Sequence, residues 1–294
     1  MRTTYAHDGL EFDVTEGGPA DGDPVVLLHG FPQRATCWRL VEPLLHQAGL
    51  RTYAPDQRGY SPGARPRGRW AYRVPTLVAD VVALIERIGT PVHLVGHDWG
   101  ATVAWGVAAS RPDLVTGLTA LSVPHGSAMK RAALRGGQAL RSSYFGVFNV
   151  PGLVEGLTKA RPDLLDPVWR RSGMDDEQVA RFHREIVDDG ALPYALGWYR
   201  GLPLAALPKM VPGLGALVGD RSDGPSWTSR SRVPTTYVWS TGDTAISRAA
   251  AEACGDFVLA DYRYVELEGV SHWIPEEAPG VVAEAVVSRV RGDR

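Results

Sequence analysis

The stretch Val92-His93-Leu94-Val95-Gly96-His97-Asp98-Trp99-Gly100-Ala101 constrains this chain more than any other. An apolar run ends in a Gly-x-Asp-x-Gly turn and passes at once into residues of helical character. A strand-to-helix turn this sharp crowds the residues two before and two after its apex. Both must be small, and here they are Gly96 and Gly100. The side chain at the apex then stands over the carboxyl end of the strand, next to N–H groups that open the helix.

The surrounding sequence has the alternation to which such a turn belongs. Residues 11–14, 25–28, 51–54, 92–95 and 117–121 read as strands. The middle three are nearly all apolar or bounded by turn residues, as strands buried on both faces of a parallel sheet are. Residues 77–88 carry apolar side chains at helical spacing, and Thr90-Pro91 closes that helix. Residues 101–109 form another helix, stopped by Arg111-Pro112. After Leu121 the rhythm breaks. From 126 to 227 there is no clean strand, only helical stretches such as 175–187, and the Pro- and Gly-rich residues 204–226 read as a loop returning to the core. Residues 235–239 and 262–267 resume strand character, and 279–290 supply a last helix. The expectation is an α/β core of residues 1–125 and 228–294. A helical cap, 126–227, is inserted after about the sixth strand.

Composition narrows the class. The 294 residues are 44% hydrophobic and 22% charged, with a net charge of −2, as in a globular chain that buries a core. No basic block that would neutralise phosphates is present, so nucleic acid is not an expected partner. Cys37 and Cys254 lie far apart in no metal or C-x-x-C spacing and read as buried thiols. The N-terminus lacks an apolar signal region, and no run reaches the roughly 18 apolar residues of a membrane span. A soluble, cytoplasmic monomer or homodimer is expected.

An Asp at the apex implies a particular chemistry. A carboxylate is ionised at neutral pH without help and can displace a leaving group from a saturated carbon. The resulting alkyl ester is opened by water at the Asp98 carbonyl, which regenerates the carboxylate. Serine at the same place would leave an inert ether. The alternative is an Asp that serves only as the N-cap of the following helix, and the turn by itself does not separate the two.

Other segments do. Leu28-His29-Gly30-Phe31-Pro32 follows an apolar strand and can turn the Phe31 N–H toward the elbow, where the Trp99 N–H also points; two such donors would hold the oxyanion. Asp243 and His272 each follow one of the last two strands, in the order nucleophile, acid, histidine. That order makes an Asp243–His272–water–Asp98 relay reasonable. For His29, His97 and His125 backbone hydrogen bonding near the site is the preferred role.

With these residues assembled, the chain resembles the α/β-hydrolase-fold epoxide hydrolases and their relatives, the haloalkane and fluoroacetate dehalogenases. The resemblance rests on His29-Gly30-Phe31-Pro32-Gln33, Asp56-Gln57-Arg58-Gly59-Tyr60-Ser61, Gly96-His97-Asp98-Trp99-Gly100, the Asp243 loop and Gly269-Val270-Ser271-His272-Trp273. It implies a mostly parallel eight-stranded sheet flanked by helices, and a small apolar epoxide as substrate, with no cofactor and no metal. It also implies that Tyr144, before Pro151-Gly152, and Tyr199, in Trp198-Tyr199-Arg200, supply the phenols that meet the departing epoxide oxygen. Pro32, Trp198 and Trp273 are candidate pocket residues. Gly146 and Val147 stand where the family often has aromatics, which implies a roomier or differently shaped pocket.

Haloalkane dehalogenation is the runner-up. A departing halide needs N–H donors and no proton: Trp99 could be one, and Trp169 or Trp198 the second. Fluoroacetate is disfavoured, because that branch carries Arg immediately after the nucleophile and this chain has Trp99. A reading from another class is a non-catalytic binder built on the same fold.

Overall fold

A computed structural model describes residues 1–135, 138–202 and 229–292. The proline- and glycine-rich stretch 204–226 lies outside the described residues. Eight strands form one sheet in the order β1-β2-β4-β3-β5-β6-β7-β8. They are β1 (Arg2–His7), β2 (Leu10–Gly17), β3 (Pro24–Leu28), β4 (Arg51–Pro55), β5 (Val92–His97), β6 (Val115–Leu121), β7 (Thr235–Ser240) and β8 (Tyr262–Leu267). The β1–β2 and β2–β4 pairs are antiparallel, and all pairs from β4 to β8 are parallel.

The central strands are buried almost throughout because both faces of the sheet are covered. Alternate side chains of β3 serve different cores. Val26 and Leu28 pack with Leu77, Val81 and Trp105 of the helices Val74–Ile88 and Trp99–Ser110. Val25 and Leu27 pack on the opposite face with Leu45, Val282 and Val286 of the helices Glu42–Gln47 and Pro279–Arg291. The helix Val74–Ile88 ends one residue before the expected Thr90-Pro91 stop, at Gly89, whose φ of 84° is the left-handed turn glycine adopts without steric cost. Cys37 and Cys254 are buried free thiols.

The strand β1 was not anticipated. Its sequence Arg-Thr-Thr-Tyr-Ala-His buries only Tyr5, and it forms the sheet edge by antiparallel pairing with β2. A half-polar edge strand carries little of the apolar signal that marks β3 or β5.

Between β6 and β7 the described residues contain helices and no strand. Asp175 caps the helix Asp176–Phe182 with a reciprocal box: its side chain accepts from the Gln178 N–H, and Gln178 accepts from the Asp175 N–H. The insertion is tied to the core by two carboxylates, each shared between two arginines. Glu276 of the core binds Arg39 and, from the insertion, Arg181; Asp189 of the insertion binds Arg34 and Arg65 of the core. Among the described residues no helix is long and apolar enough to cross a membrane.

Candidate active site

The β5-to-helix turn places Asp98 at φ 53° and ψ −120°, a backbone that non-glycine residues rarely adopt. The glycines around it are there for space. A Cβ on Gly96 would lie 2.4 Å from the Gly100 carbonyl oxygen, and one on Gly100 would lie 2.1 Å from the Leu28 carbonyl oxygen. A Cβ on Gly30 would meet the Asp98 Cβ at 2.4 Å. Three glycines thus let the β3 loop and the elbow touch, and the contact delivers a hydrogen bond: the Phe31 N–H donates to Asp98 Oδ1 at 2.8 Å. Trp99 is the first residue of the helix, so its N–H has no partner in the helical ladder.

The other carboxylate oxygen faces the histidine. His272 Nε2 is 3.5 Å from Asp98 Oδ2, and its Nδ1–H donates to Asp243 Oδ2 at 3.0 Å. Asp243 Oδ1 accepts from the N–H groups of Ala245 (2.7 Å) and Ile246 (3.0 Å). All three side chains are at least nine-tenths buried. The ends of β5, β7 and β8 therefore bring together Asp98, Asp243 and His272, residues up to 174 positions apart in sequence.

A model of the alpha/beta hydrolase family matches residues 25–285. The chain belongs to that family. It is 32% identical to the AB hydrolase superfamily protein YfhM of Bacillus subtilis, with 97% of this chain and 96% of that protein covered. It is 29% identical to epoxide hydrolase A of Mycobacterium tuberculosis, covering 97% of this chain and 95% of the relative. Among solved structures, one of the novel epoxide hydrolases from metagenomes of hot environments superposes with a TM-score of 0.82 at 27% identity. That superposition covers 99% of this chain and 98% of the other.

Within this α/β hydrolase, the electrostatics of the buried Asp98–His272–Asp243 cluster are governed by two carboxylates around one ring. Burial opposes charge on His272, but Asp243 and then Asp98 outweigh it and push its pKa up to about 10. Burial works against the Asp243 carboxylate too, yet His272 and its hydrogen bonds hold its pKa below the ordinary value. The raised histidine makes a prediction about stability. Its contribution is complete below pH 6.5, the ordinary imidazole value, and drains away as pH climbs toward about 10. Melting temperature should therefore fall between pH 7 and 10 in scanning calorimetry, and His272→Gln should flatten that fall. A variant that keeps the full alkaline slope would show the charge to lie elsewhere.

The structure adds a residue that the sequence did not mark. Ser122 follows β6 directly, is fully buried and has a φ of 65°. Its hydroxyl donates to Asp243 Oδ2 at 2.6 Å and lies 2.9 Å from His272 Nδ1. The only available signal was its place at the carboxyl end of the strand beside β7.

The three other histidines near the site bond to backbone, as expected. His29 donates from Nδ1 to the Gly30 carbonyl and accepts at Nε2 from the Gln57 N–H; His97 donates from Nε2 to the His272 carbonyl; His125 donates to the Ser229 carbonyl. Burial lowers His29 to about 3 and His97 to about 4, so both are neutral.

Tyr144 and Tyr199 come together from separate helices of the insertion, with ring centroids 6.0 Å apart. Burial raises both phenols far above their ordinary value, and the Asp98 carboxylate raises them further, which places both within its electrostatic reach. Tyr199 is ringed by Phe31, Trp99, Phe145 and Phe148 at 4.9–5.1 Å.

The remaining candidates divide. Trp273 stands edge-on to His272 at 5.0 Å. Trp198 is wholly buried behind Tyr199, and its N–H donates to the Arg58 carbonyl at 2.7 Å. Pro32 lines a shallow cleft at the seam with the insertion, together with Met174 and Phe182. The roomier pocket expected from Gly146 and Val147 does not arise from them, because both are exposed on the outer side of their helix while Phe145 and Phe148 turn inward.

Proposed function

We propose that this α/β hydrolase opens an apolar epoxide to a vicinal diol through a covalent ester on Asp98, beneath a cap formed by the helical insertion. The observation that carries this reading is the pair of phenols, Tyr144 and Tyr199, set together within electrostatic reach of a carboxylate whose neighbours are an N–H donor and a histidine.

The resting contacts support a division of roles between the two oxygens of Asp98. Oδ1 already sits on the Phe31 N–H, the place where oxyanion charge must later gather, so Oδ2 makes the bond to the ring carbon. The carbon–oxygen bond of the epoxide breaks, its electron pair stays on oxygen, and that oxygen takes a proton from one of the phenols. Esterification removes the Asp98 charge, one of the two that lift His272. The ring then gives up its proton, which balances the one lost by the phenol, and becomes neutral. In that state it takes a proton from water as the water attacks the Asp98 carbonyl carbon. The intermediate then collapses: the bond between the Asp98 carbonyl carbon and the substrate oxygen breaks, that oxygen takes the proton of the hydroxyl that water delivered, and the diol leaves with Asp98 again a carboxylate. The aromatic wall around Tyr199 suits an apolar substituent.

A single turnover in ¹⁸O-labelled water tests the route. Label should enter the Asp98 carboxylate, and the first diol released should carry unlabelled oxygen. Label in that first diol would mean direct attack of water and would overturn the ester. Ser122→Ala is a milder probe: with one donor to Asp243 removed, ester hydrolysis should slow about tenfold, equivalent to ~1.4 kcal/mol, with ring opening spared. Equal slowing of both steps in stopped-flow fluorescence would assign Ser122 to packing.

One observation favours haloalkanes as a second reading. Among the described residues the Trp169 indole N–H is buried without a partner, and its ring is 6.0 Å from Phe31. The Trp198 N–H, engaged by Arg58, is out of that role.

A further inference from the structure

The segment 138–144 of the insertion does two things at once. Gln138, in the short helix Gln138–Arg141, is 1% exposed and uses both ends of its amide on the loop that follows β7. Its Nε2 donates to the Ala245 carbonyl at 2.7 Å, and its Oε1 accepts from the Ser247 N–H at 2.8 Å. The side chain thereby pairs with backbone as a neighbouring strand would. One turn on, Arg141 Nη1 donates to the Asp243 carbonyl at 2.8 Å. Within the loop the Asp243 carboxylate accepts from the N–H groups of Ala245 and Ile246. The next helix, Tyr144–Phe148, begins three residues after Arg141. A continuous run of turns joins the two: the N–H groups of Ser142, Ser143, Phe145 and Gly146 donate to the carbonyls of Gln138, Leu140, Ser142 and Ser143. No loose linker separates the amide from the phenol.

Tyr199 is anchored elsewhere. Its neighbour Trp198 donates to the Arg58 carbonyl, and Arg58 is itself fixed by a buried two-bond pair with Asp80. The two phenols' helices meet each other, with Arg200 donating to the Phe148 and Val150 carbonyls, but they rest on different parts of the core, one on the loop after β7 and one on the loop after β4.

We propose that Gln138 is a positioning residue that fastens Tyr144 to the Asp243 loop, so that ring opening and ester hydrolysis depend on one buried amide. The proposal rests on the reaction assigned above. Displacement of the loop moves Asp243 away from His272, and displacement of the segment moves Tyr144 away from Asp98. A buried amide with both ends engaged holds the two in register, and a misplacement near 1 Å is enough to cost on the order of 10²-fold in rate.

The experiment compares Gln138→Leu with the wild-type chain in single-turnover stopped flow, using styrene oxide-like and aliphatic epoxides, and follows the His272 ring by ¹⁵N NMR through a pH series. The groups facing that ring are Asp243, Asp98 and His97. Both the ring-opening and the hydrolysis constants should fall by roughly tenfold or more, and the midpoint of His272 should move down as Asp243 loosens. In double-mutant cycles Gln138→Leu should be more strongly non-additive with Tyr144→Phe than with Tyr199→Phe. A lowered melting temperature with unchanged rate constants per folded molecule and an unchanged His272 midpoint would overturn the proposal. Where Gln138→Leu does not fold, Gln138→Glu keeps the shape and the Ser247 bond and loses the donations to Ala245 and to the Ser142 hydroxyl; Arg141→Ala removes the outer bond. Both should show the same pattern at smaller size, and wild-type behaviour in both overturns it. Should the wild-type chain open no epoxide, the assigned reaction fails. The His272 midpoint, measured on the resting protein, then decides the fastening by itself.

Discussion

His272→Gln should react once with an epoxide and then stop. The first bond needs only the Asp98 carboxylate, held by the Phe31 N–H, and a phenol to receive the opening oxygen. The second step needs a base beside the ester, and Nε2 of His272, 3.5 Å from Asp98 Oδ2, is the group in place. Gln neither accepts a proton from water nor carries the charge that the raised histidine holds at rest. General-base assistance is worth roughly 10²–10⁴-fold, so the ester should outlive a mass-spectrometry experiment. The expected spectrum shows the intact chain heavier by the mass of the epoxide, with the addition on the peptide that contains Asp98. Asp98→Asn should show no adduct and no turnover. A His272→Gln protein that releases diol at the wild-type rate, or one that never gains mass while substrate disappears, would sink the two-step scheme. Asp243→Asn should behave as a weaker copy, because it leaves the ring in place and removes the larger of the two carboxylate effects on it.

The parts of this site that could be read in the sequence share one property: local sequence imposes their geometry. Gly96, Asp98 and Gly100 lie within five residues, and the steric demand of the turn is written in the two glycines. Asp243 and His272 were recognisable because each follows a strand, and parallel strands end side by side. Ser122 follows a strand as well, but a serine before Val123-Pro124 has the same appearance as any loop residue until β6 is placed beside β7. Gln138 is harder still. Nothing within its helix distinguishes it from a solvated glutamine, and its partners are 107 and 109 residues away. Trp198 makes the same point: nothing local announces that its indole N–H donates to the Arg58 carbonyl, 140 residues away. Polar side chains that act through distant backbone groups have no period and no motif, and so the support beneath the site is less legible than the site itself.

Loss of both phenols should separate the two candidate reactions. Tyr144→Phe with Tyr199→Phe keeps the ring contacts, including those of Tyr199 with Phe31, Trp99, Phe145 and Phe148, and removes only two hydroxyl groups. Change in rate therefore reports proton delivery rather than collapse of the aromatic cluster. An epoxide oxygen stays attached to its second carbon and becomes an alkoxide unless a proton meets it, so each phenol alone should sustain part of the rate. Each single variant should lose about ten- to a hundredfold in ring opening, and the double variant about 10³-fold or more, with ester hydrolysis unaffected once the adduct forms. A halide leaves with its own electron pair and needs no proton. Any haloalkane turnover by the wild-type chain should accordingly survive in the double variant and should fall instead on Trp169→Phe, which removes the unpartnered indole N–H near Phe31. Measured side by side on an epoxide and a haloalkane of matched size, the two variants give opposite patterns. Epoxide opening that is indifferent to both hydroxyls would mean that the oxygen receives its proton from elsewhere, and the insertion would lose its claim to the chemistry.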